Sequence, residues 1–276
     1  MRRIAFVLGK PPRAPSMLAE VAGRLRRQGF DVVVHLPHES TEPVPSWLFE
    51  VDLVVQRGLD HHALAALQGL EEGGVRCCNL VAATMTSQDR LAVWRRLAAS
   101  NLPVPATIPA GTWTEVLAAA EGRGIVVKAQ DARRGRGAGV VVSPDGVLPA
   151  AAPFEGPYVV QDVVPGDGWD RKLYVAGRHV RGLLKHGLPP PAAVREVRSL
   201  RPTRSLTDLG VRVGLALGLE IYGVDVVGSA HPYIIDINPF PGFRGIPDAP
   251  RLITGYLSGI ALGRGSTSRN DDKRPP

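Results

Sequence analysis

Cysteine is nearly absent, and its only two copies are neighbours, Cys77 and Cys78. Adjacent residues make poor disulfide partners and no CxxC spacing exists, so a disulfide scaffold is excluded. Both read as small buried hydrophobes in a reducing compartment. No stretch approaches the ~20 consecutive apolar residues of a membrane span. The opening Met1-Arg-Arg-Ile-Ala-Phe-Val-Leu-Gly9 resembles a signal peptide only briefly, because Lys10-Pro-Pro-Arg13 breaks its short apolar run. It reads as a first strand of a cytoplasmic protein with no membrane partner. GxGxxG after the first strand, the GK[ST] ending of a Walker A loop, GxSxG and HExxH are all missing, which removes the commonest dinucleotide, P-loop, serine-hydrolase and zinc-protease signatures. His35, His38, His61 and His62 have no ligand spacing with cysteines or acids and read as surface or capping residues.

What is abundant is positive charge. The net charge is +7 with a sequence pI near 9.8. The surplus can be a genomic arginine bias; it permits nucleic-acid binding, but no zinc finger, helix-turn-helix or basic-aromatic interleaving supports that, and an anionic small molecule or nucleotide explains it equally well. With 276 residues the chain can build one large domain or two to three lobes. Strand-like runs at 3–8, 31–35, 51–56 and 75–79 alternate with helical periodicity at 16–28 and 63–72, the rhythm of a small α/β lobe with a parallel sheet. A helix follows from 86 to about 100, with Thr86 or Ser87 available to cap it. Asn101-Leu-Pro-Val-Pro-Ala-Thr107 reads as an extended linker. A short helix at 113–121 precedes a β-rich block at 124–128, 139–143, 158–164, 172–176 and 179–185. Helices are expected at 207–217 and 249–262. Pro189-Pro-Pro191 and the arginines from Arg195 to Arg204 read as a basic loop, a candidate substrate lid.

The most informative run is Tyr233-Ile-Ile-Asp-Ile-Asn-Pro-Phe-Pro-Gly-Phe243. Side chains alternate along a strand, so Ile235 and Ile237 are expected on one face and Asp236 and Asn238 on the other. Such oxygens beside apolar residues need a partner, and a hard divalent cation is one. Gly223-Val-Asp-Val-Val227 carries a further acid, Asp225, and Gly228-Ser-Ala-His-Pro232 has turn chemistry. A hairpin turning near Ala230 sets Asp225 opposite Asp236. Three candidate ligands, Asp225, Asp236 and Asn238, then share one sheet face. The competing reading is a hairpin with ordinary exposed acids.

Ile125-Val-Val-Lys128 is an apolar strand ending in a lysine. It leads into the loop of Arg133, Arg134, Gly135, Gly137 and Gly139. Backbone N–H groups and cations in such a loop can close over phosphates, although a plain hairpin turn explains the glycines equally well. Tyr158-Val-Val-Gln-Asp-Val-Val164 offers apolar walls with Gln161 and Asp162 as polar contacts for a nucleobase; the alternative is a solvated edge strand.

In this order the pieces resemble the ATP-grasp superfamily, from the first strand to about residue 262. The most specific portions are Gly223 to Val227 and Ile235 to Phe243. Two branches are similar: carboxylate–amine ligases of the ribosomal-protein glutamate ligase type, and inositol trisphosphate kinases, which also carry an Asp-x-Lys before a Tyr-Val segment, here Asp170-Arg-Lys-Leu-Tyr-Val175. The resemblance implies an α/β ATP-grasp fold with an N-terminal lobe and two lobes that sandwich ATP. The segments expected are 1–84 (N-terminal α/β lobe), 85–160 (linker helix and β-rich lid lobe), 161–262 (C-terminal lobe with the metal site) and a disordered tail, 263–276. It implies that Lys128 holds ATP phosphates, that Arg133 to Gly139 forms a phosphate lid, and that Gln161, Asp162, Val163 and Val164 line the adenine pocket. Asp225, Asp236 and Asn238 would bind Mg2+ or Mn2+, and Lys172 and Lys185 would face the transferred phosphoryl group. Arg90 stands where the family usually has a lysine after the aspartate, and keeps its charge.

The activity this implies is an ATP- and Mg2+-dependent ligase joining a carboxylate to an amine through an acyl phosphate. The acceptor would be a small molecule or peptide. A small-molecule kinase of the inositol phosphate type is the alternative, and an inactive nucleotide-binding module a third. No protein nucleophile is required, consistent with the missing nucleophile motifs.

Overall fold

Five consecutive buried residues, Ile4 to Leu8, make β1 (Arg3–Leu8) a central strand. A continuous apolar run suits a parallel sheet covered on both faces. The computed structural model describes residues 1–132, 139–187 and 197–264. The chain divides into two compact units, Met1–Val81 with Pro247–Pro276, and Ala82–Ile246. In the first, α1 (Met17–Arg27) is started by Ser16, whose Oγ accepts the Ala19 N–H at 3.3 Å. β2 (Asp31–His35), β3 (Leu53–Arg57), α2 (His61–Glu72) and β4 (Cys77–Cys78) follow, and the sheet order is β2-β1-β3-β4, all parallel. Both cysteines are free and buried.

After α3 (Val81–Thr86) comes α4 (Arg90–Ala99). The expected cap is corrected: Thr86 closes α3 and Ser87 donates to the Ala83 carbonyl, whereas Asp89 Oδ1 accepts the N–H groups of Leu91 and Ala92. The same carboxylate accepts from Gln130 Nε2, tying the start of α4 to the chain beyond the lysine strand. Thr107, read as the end of a linker, instead begins β5 (Thr107–Ala110), which pairs antiparallel with a later strand and so gains structure from a partner far along the chain.

α5 (Trp113–Ala120), β6 (Ile125–Ala129), β7 (Val140–Ser143) and β8 (Tyr158–Asp162) complete a four-stranded antiparallel sheet of order β5-β8-β6-β7. Ile125, Val127 and Val160 pack there with Val116 and Ala120 of α5. A five-stranded sheet of order β11-β10-β9-β12-β13 follows, built from β9 (Trp169–Ala176), β10 (His179–His186), β11 (Val197–Leu200), β12 (Ile221–Val227) and β13 (Tyr233–Pro239), with every pairing antiparallel. α6 (Arg204–Leu217) lies between β11 and β12 in the chain, is capped by Thr203, and ends at Gly218 in the left-handed region. Leu173, Val175, Val224, Val226, Ile234 and Ile237 of the sheet pack with Leu209, Val213 and Leu217 of α6 and Trp94 and Leu97 of α4. Each fully buried aliphatic side chain contributes roughly 1.5–3 kcal/mol. The basic segment at 195–204 also differs from expectation: Val197–Leu200 is a strand on β10, while Pro189 to Pro191 and Arg195 lie outside the described residues.

The segmentation differs as well. The expected third segment, 161–262, splits, because α7 (Ala249–Ala261) returns to the first unit and packs against α1. Leu18, Val21 and Leu25 give α1 a buried stripe, and Ile253, Leu257 and Ile260 do so for α7. Among the described residues no helix is long and apolar enough to cross a membrane. Of the expected tail, residues 265–276 lie outside the described residues. Asp89→Ala is expected to cost about 1 kcal/mol of stability in urea unfolding, whereas Thr86→Ala stays within about 0.5 kcal/mol.

Candidate functional site

Residues directly opposite on paired strands project to the same face. In the five-stranded sheet Lys172 lies opposite Asp225, Lys185 opposite Asp170, and Asp225 opposite Asp236. The alternate residues Leu173, Val175, Val224 and Val226 belong to the core. One face therefore carries Asp170, Lys172, Lys185, Asp225, Asp236 and Asn238, and the other carries the packing. Asn238 sits opposite Gly223, and its Nδ2 donates to Asp236 Oδ2 at 3.1 Å.

The hairpin register is the one that the turn arithmetic implies, with one departure. The pairing shifts between Asp225 and Val226, where Ile234 opposes Val226 and leaves Ile235 bulged. The expected sharing of a face by Ile235 and Ile237 is thus corrected: Ile234 and Ile237 enter the core and Ile235 does not. The Ile235 carbonyl accepts from Lys128 Nζ at 2.5 Å. Lys128 belongs to β6 of the other sheet and is only 7% exposed. Its ammonium also lies 5.5 Å from the centre of the Trp94 ring. Trp94, a core residue, lines this contact. Its Nε1 is buried without a hydrogen-bond partner among the described residues.

Burial sets the electrostatics. It lowers the Lys128 pKa to about 8, against the attraction of Asp236. It raises the Asp225 pKa, opposed by the Lys172 ammonium and reinforced by Asp236. Lys172 Nζ donates to both Asp225 oxygens, at 2.6 and 2.7 Å. Its charge is therefore engaged by a carboxylate and does not point free toward a phosphoryl group. Lys185 adds a weaker attraction to Asp225. Asp170 is half-buried, and burial followed by the nearby Asp225 pushes its pKa up to about 6.

Arg90 is placed differently from a free phosphate ligand. Its Nη1 donates to the Ala129 carbonyl at 2.6 Å and the Asp131 carbonyl at 3.3 Å, stapling α4 to the end of β6. Burial lowers its pKa while Asp236 attracts its charge, and Nε is buried with no partner among the described residues. Gln161 and Asp162 already have side-chain partners. Gln161 Nε2 donates to Thr107 Oγ1 at 3.1 Å, and Asp162 pairs with Arg123 at 3.0 Å on the surface. The N–H groups of Asp162 and Val163 are taken by the carbonyls of Ala106 and Gly124. Val163 and Val164 remain half-buried beside them. Gly139 accepts from the Ala129 N–H, continuing the β6–β7 ladder, while Arg134, Gly135 and Gly137 lie outside the described residues. Trp169 stacks on His186 at 4.3 Å with the Arg198 guanidinium 4.6 Å from its ring. Register sets all three on the face opposite Asp170 and Lys172.

The exit run folds over the site's sheet. Phe243 lies 5.0 Å from the Tyr174 ring, and Phe240 and Phe243 both adopt positive φ. A hard cation fits what is present: two carboxylates and an amide oxygen, with Asp225 raised by burial and like charge. Among the described residues no three His, Cys, Asp or Glu side chains gather as a metal group, so Asn238 is needed as the third donor.

Residues 192–259 match the family model of the inositol 1,3,4-trisphosphate 5/6-kinase ATP-grasp domain. A RimK domain ATP-grasp protein from Sphaerobacter thermophilus superposes with a TM-score of 0.71 at 23% identity, over 93% of this chain and 100% of that one. The chain has the ATP-grasp fold. The ATP-grasp ligase PsnB, complexed with a minimal precursor, superposes with a TM-score of 0.69 at 18% identity, over 94% and 98% of the two chains. By sequence the chain is similar to a probable alpha-L-glutamate ligase of Stenotrophomonas maltophilia, 26% identical over 72% of this chain and 74% of that protein. It is likewise similar to one from Xylella fastidiosa, 28% identical over 67% and 66%.

Lys172→Met leaves Asp225 with its main counter-charge removed. Because the pair is only partly shielded from water, the expected loss is on the order of 2–4 kcal/mol in urea unfolding. The double variant Lys172→Met with Asp225→Asn is expected to recover part of it.

Proposed function

We propose that this ATP-grasp protein is an ATP- and Mg2+-dependent ligase that joins a carboxylate to an amine, with an amino acid or peptide as substrate. The observation that carries this is the single sheet face where Lys172–Asp225, Asp236–Asn238 and the Lys128 ammonium come together. Support comes from the relatives called probable alpha-L-glutamate ligase and from the fold shared with ligases, among them PsnB with minimal precursor, Mg and ADP. In this reading Lys128 holds a nucleotide phosphate. Asp225, Asp236 and Asn238 hold Mg2+ or Mn2+. Arg134, Gly135 and Gly137 cover the phosphates on the strength of their sequence alone. Lys172 and Lys185 balance charge over the face, and Lys172 keeps Asp225 ionised and aimed. Bound there, divalent cations supply neutralisation of the triphosphate's charge.

A substrate carboxylate oxygen attacks the γ-phosphorus and ADP leaves. An amine nitrogen then attacks the acyl carbon and phosphate leaves. The protein's work is to position the reactants and to compensate charge. The free adjacent thiols accord with a cytoplasmic setting. The family-model match over 192–259 favours a second reading, phosphoryl transfer to a hydroxyl. Hydroxylamine separates the two. With ATP, Mg2+ and a panel of amino acids and short peptides, the ligase yields a hydroxamate. A kinase yields a stable phosphate ester and no hydroxamate, and that result refutes the ligase reading.

Asp236→Ala is expected to lower turnover by at least about a hundredfold while the thermal melt stays cooperative; retained turnover counts against the metal role. Lys128 is charged below its pKa of about 8 and loses that charge as pH rises through it. The KM for ATP should therefore be lowest below pH 8 and climb above it. Lys128→Arg, charged at every accessible pH, should flatten that climb.

A further inference from the structure

Asp170 stands apart from the groups used so far. It occupies the candidate face, directly opposite Lys185, at the end of β9 where the strand enters the sheet. It is half-buried, yet among the described residues it makes no hydrogen bond and no ion pair. A partly desolvated carboxylate without a donor is costly, and sites that keep one generally use it. It is not a third metal carboxylate, because no three acidic side chains gather as a metal group among the described residues. The backbone of a glycine packs close against it. Gly187, one step past β10, carries no side chain, and a Cβ there would lie 3.1 Å from Asp170 Oδ1. The Gly187 N–H donates to the Gly168 carbonyl at 3.0 Å, which holds that glycine in place beside the carboxylate.

We infer that Asp170 anchors the amine substrate, binding it as a cation such as the α-ammonium of an amino acid, beside the backbone of Gly187. The inference rests on the ligase reading and narrows it to amines that are protonated in solution. An incoming ammonium supplies the hydrogen-bond donors that Asp170 lacks and offsets the repulsion from Asp225, and it gives up one proton to solvent before its nitrogen attacks the acyl carbon. A neutral nucleophile does not need this carboxylate.

That difference gives the test. The full chain is supplied with ATP, Mg2+ and whichever carboxylate forms a hydroxamate in the trapping screen. Coupling is then measured with two nucleophiles: hydroxylamine, which is neutral near physiological pH, and the standard L-amino acids, beginning with L-glutamate. In Asp170→Asn the KM for the amino acid should rise about tenfold to a hundredfold, the weight of a charged hydrogen bond. Hydroxamate formation should stay at the wild-type rate. Gly187→Ala should raise the same KM through crowding, with hydroxamate formation again spared. Asp170→Glu should recover part of the affinity. The inference is overturned if Asp170→Asn leaves the amino-acid KM unchanged, or if it lowers both reactions equally, as damage to the fold or to ATP binding would. It also falls if the wild type traps hydroxylamine but couples no amino acid. If the wild type forms no hydroxamate from any carboxylate, the ligase reading itself fails and the role of Asp170 goes with it.

Discussion

Two carboxylates of like charge, Asp225 and Asp236, are held opposite each other on adjacent strands, and the rest of the site is arranged around that repulsion. A sheet places directly opposed side chains within ~5.5 Å at Cβ, so neither acid can retreat. Burial makes the conflict worse by raising the Asp225 pKa. The cations are positioned accordingly. Lys172 takes both Asp225 oxygens, Lys128 is drawn toward Asp236 from the other sheet, and Arg90 feels Asp236 from the start of α4. Negative charge therefore collects cationic partners from three elements.

The bulge at Ile235 has two effects at once. It turns Ile235 out of the core, and its carbonyl becomes the acceptor for Lys128. Without the extra residue, the alternation that keeps Asp236 on the open face would pull against the burial of Ile234. Packing and charge are thus reconciled in one residue. Trp94 contributes similarly, as both a core side chain and a π-face for the Lys128 ammonium. The lysine is buried yet keeps favourable neighbours, which explains why its pKa falls to about 8 and no further in kind.

The architecture also separates tasks by face. On the five-stranded sheet, Leu173, Val175, Val224 and Val226 pack with α6 and α4, while Asp170, Lys172, Asp225 and Asp236 stand on the other face. The stack of Trp169, His186 and Arg198 lies on the packing side and so stays away from the ionised groups. In the four-stranded sheet, side chains that look available in sequence are consumed by structure. Gln161 bonds Thr107 and Asp162 bonds Arg123.

Sequence alone determined the local elements and the hairpin that opposes Asp225 to Asp236, because period-two alternation and turn chemistry act over a few residues. It also placed Lys128 on an apolar strand, which runs one residue further to Ala129, and the order of motifs was enough to reveal the likeness to ATP-grasp proteins. Tertiary structure decided which polar groups are already engaged. That Asp89 and not Thr86 caps α4, that Thr107 and Val197–Leu200 are strands, that α7 rejoins α1, and that Lys172 is bound to Asp225 all depend on partners distant in the chain. A residue's own neighbours cannot encode those, since a hydrogen bond or ion pair is settled by which strand arrives beside it.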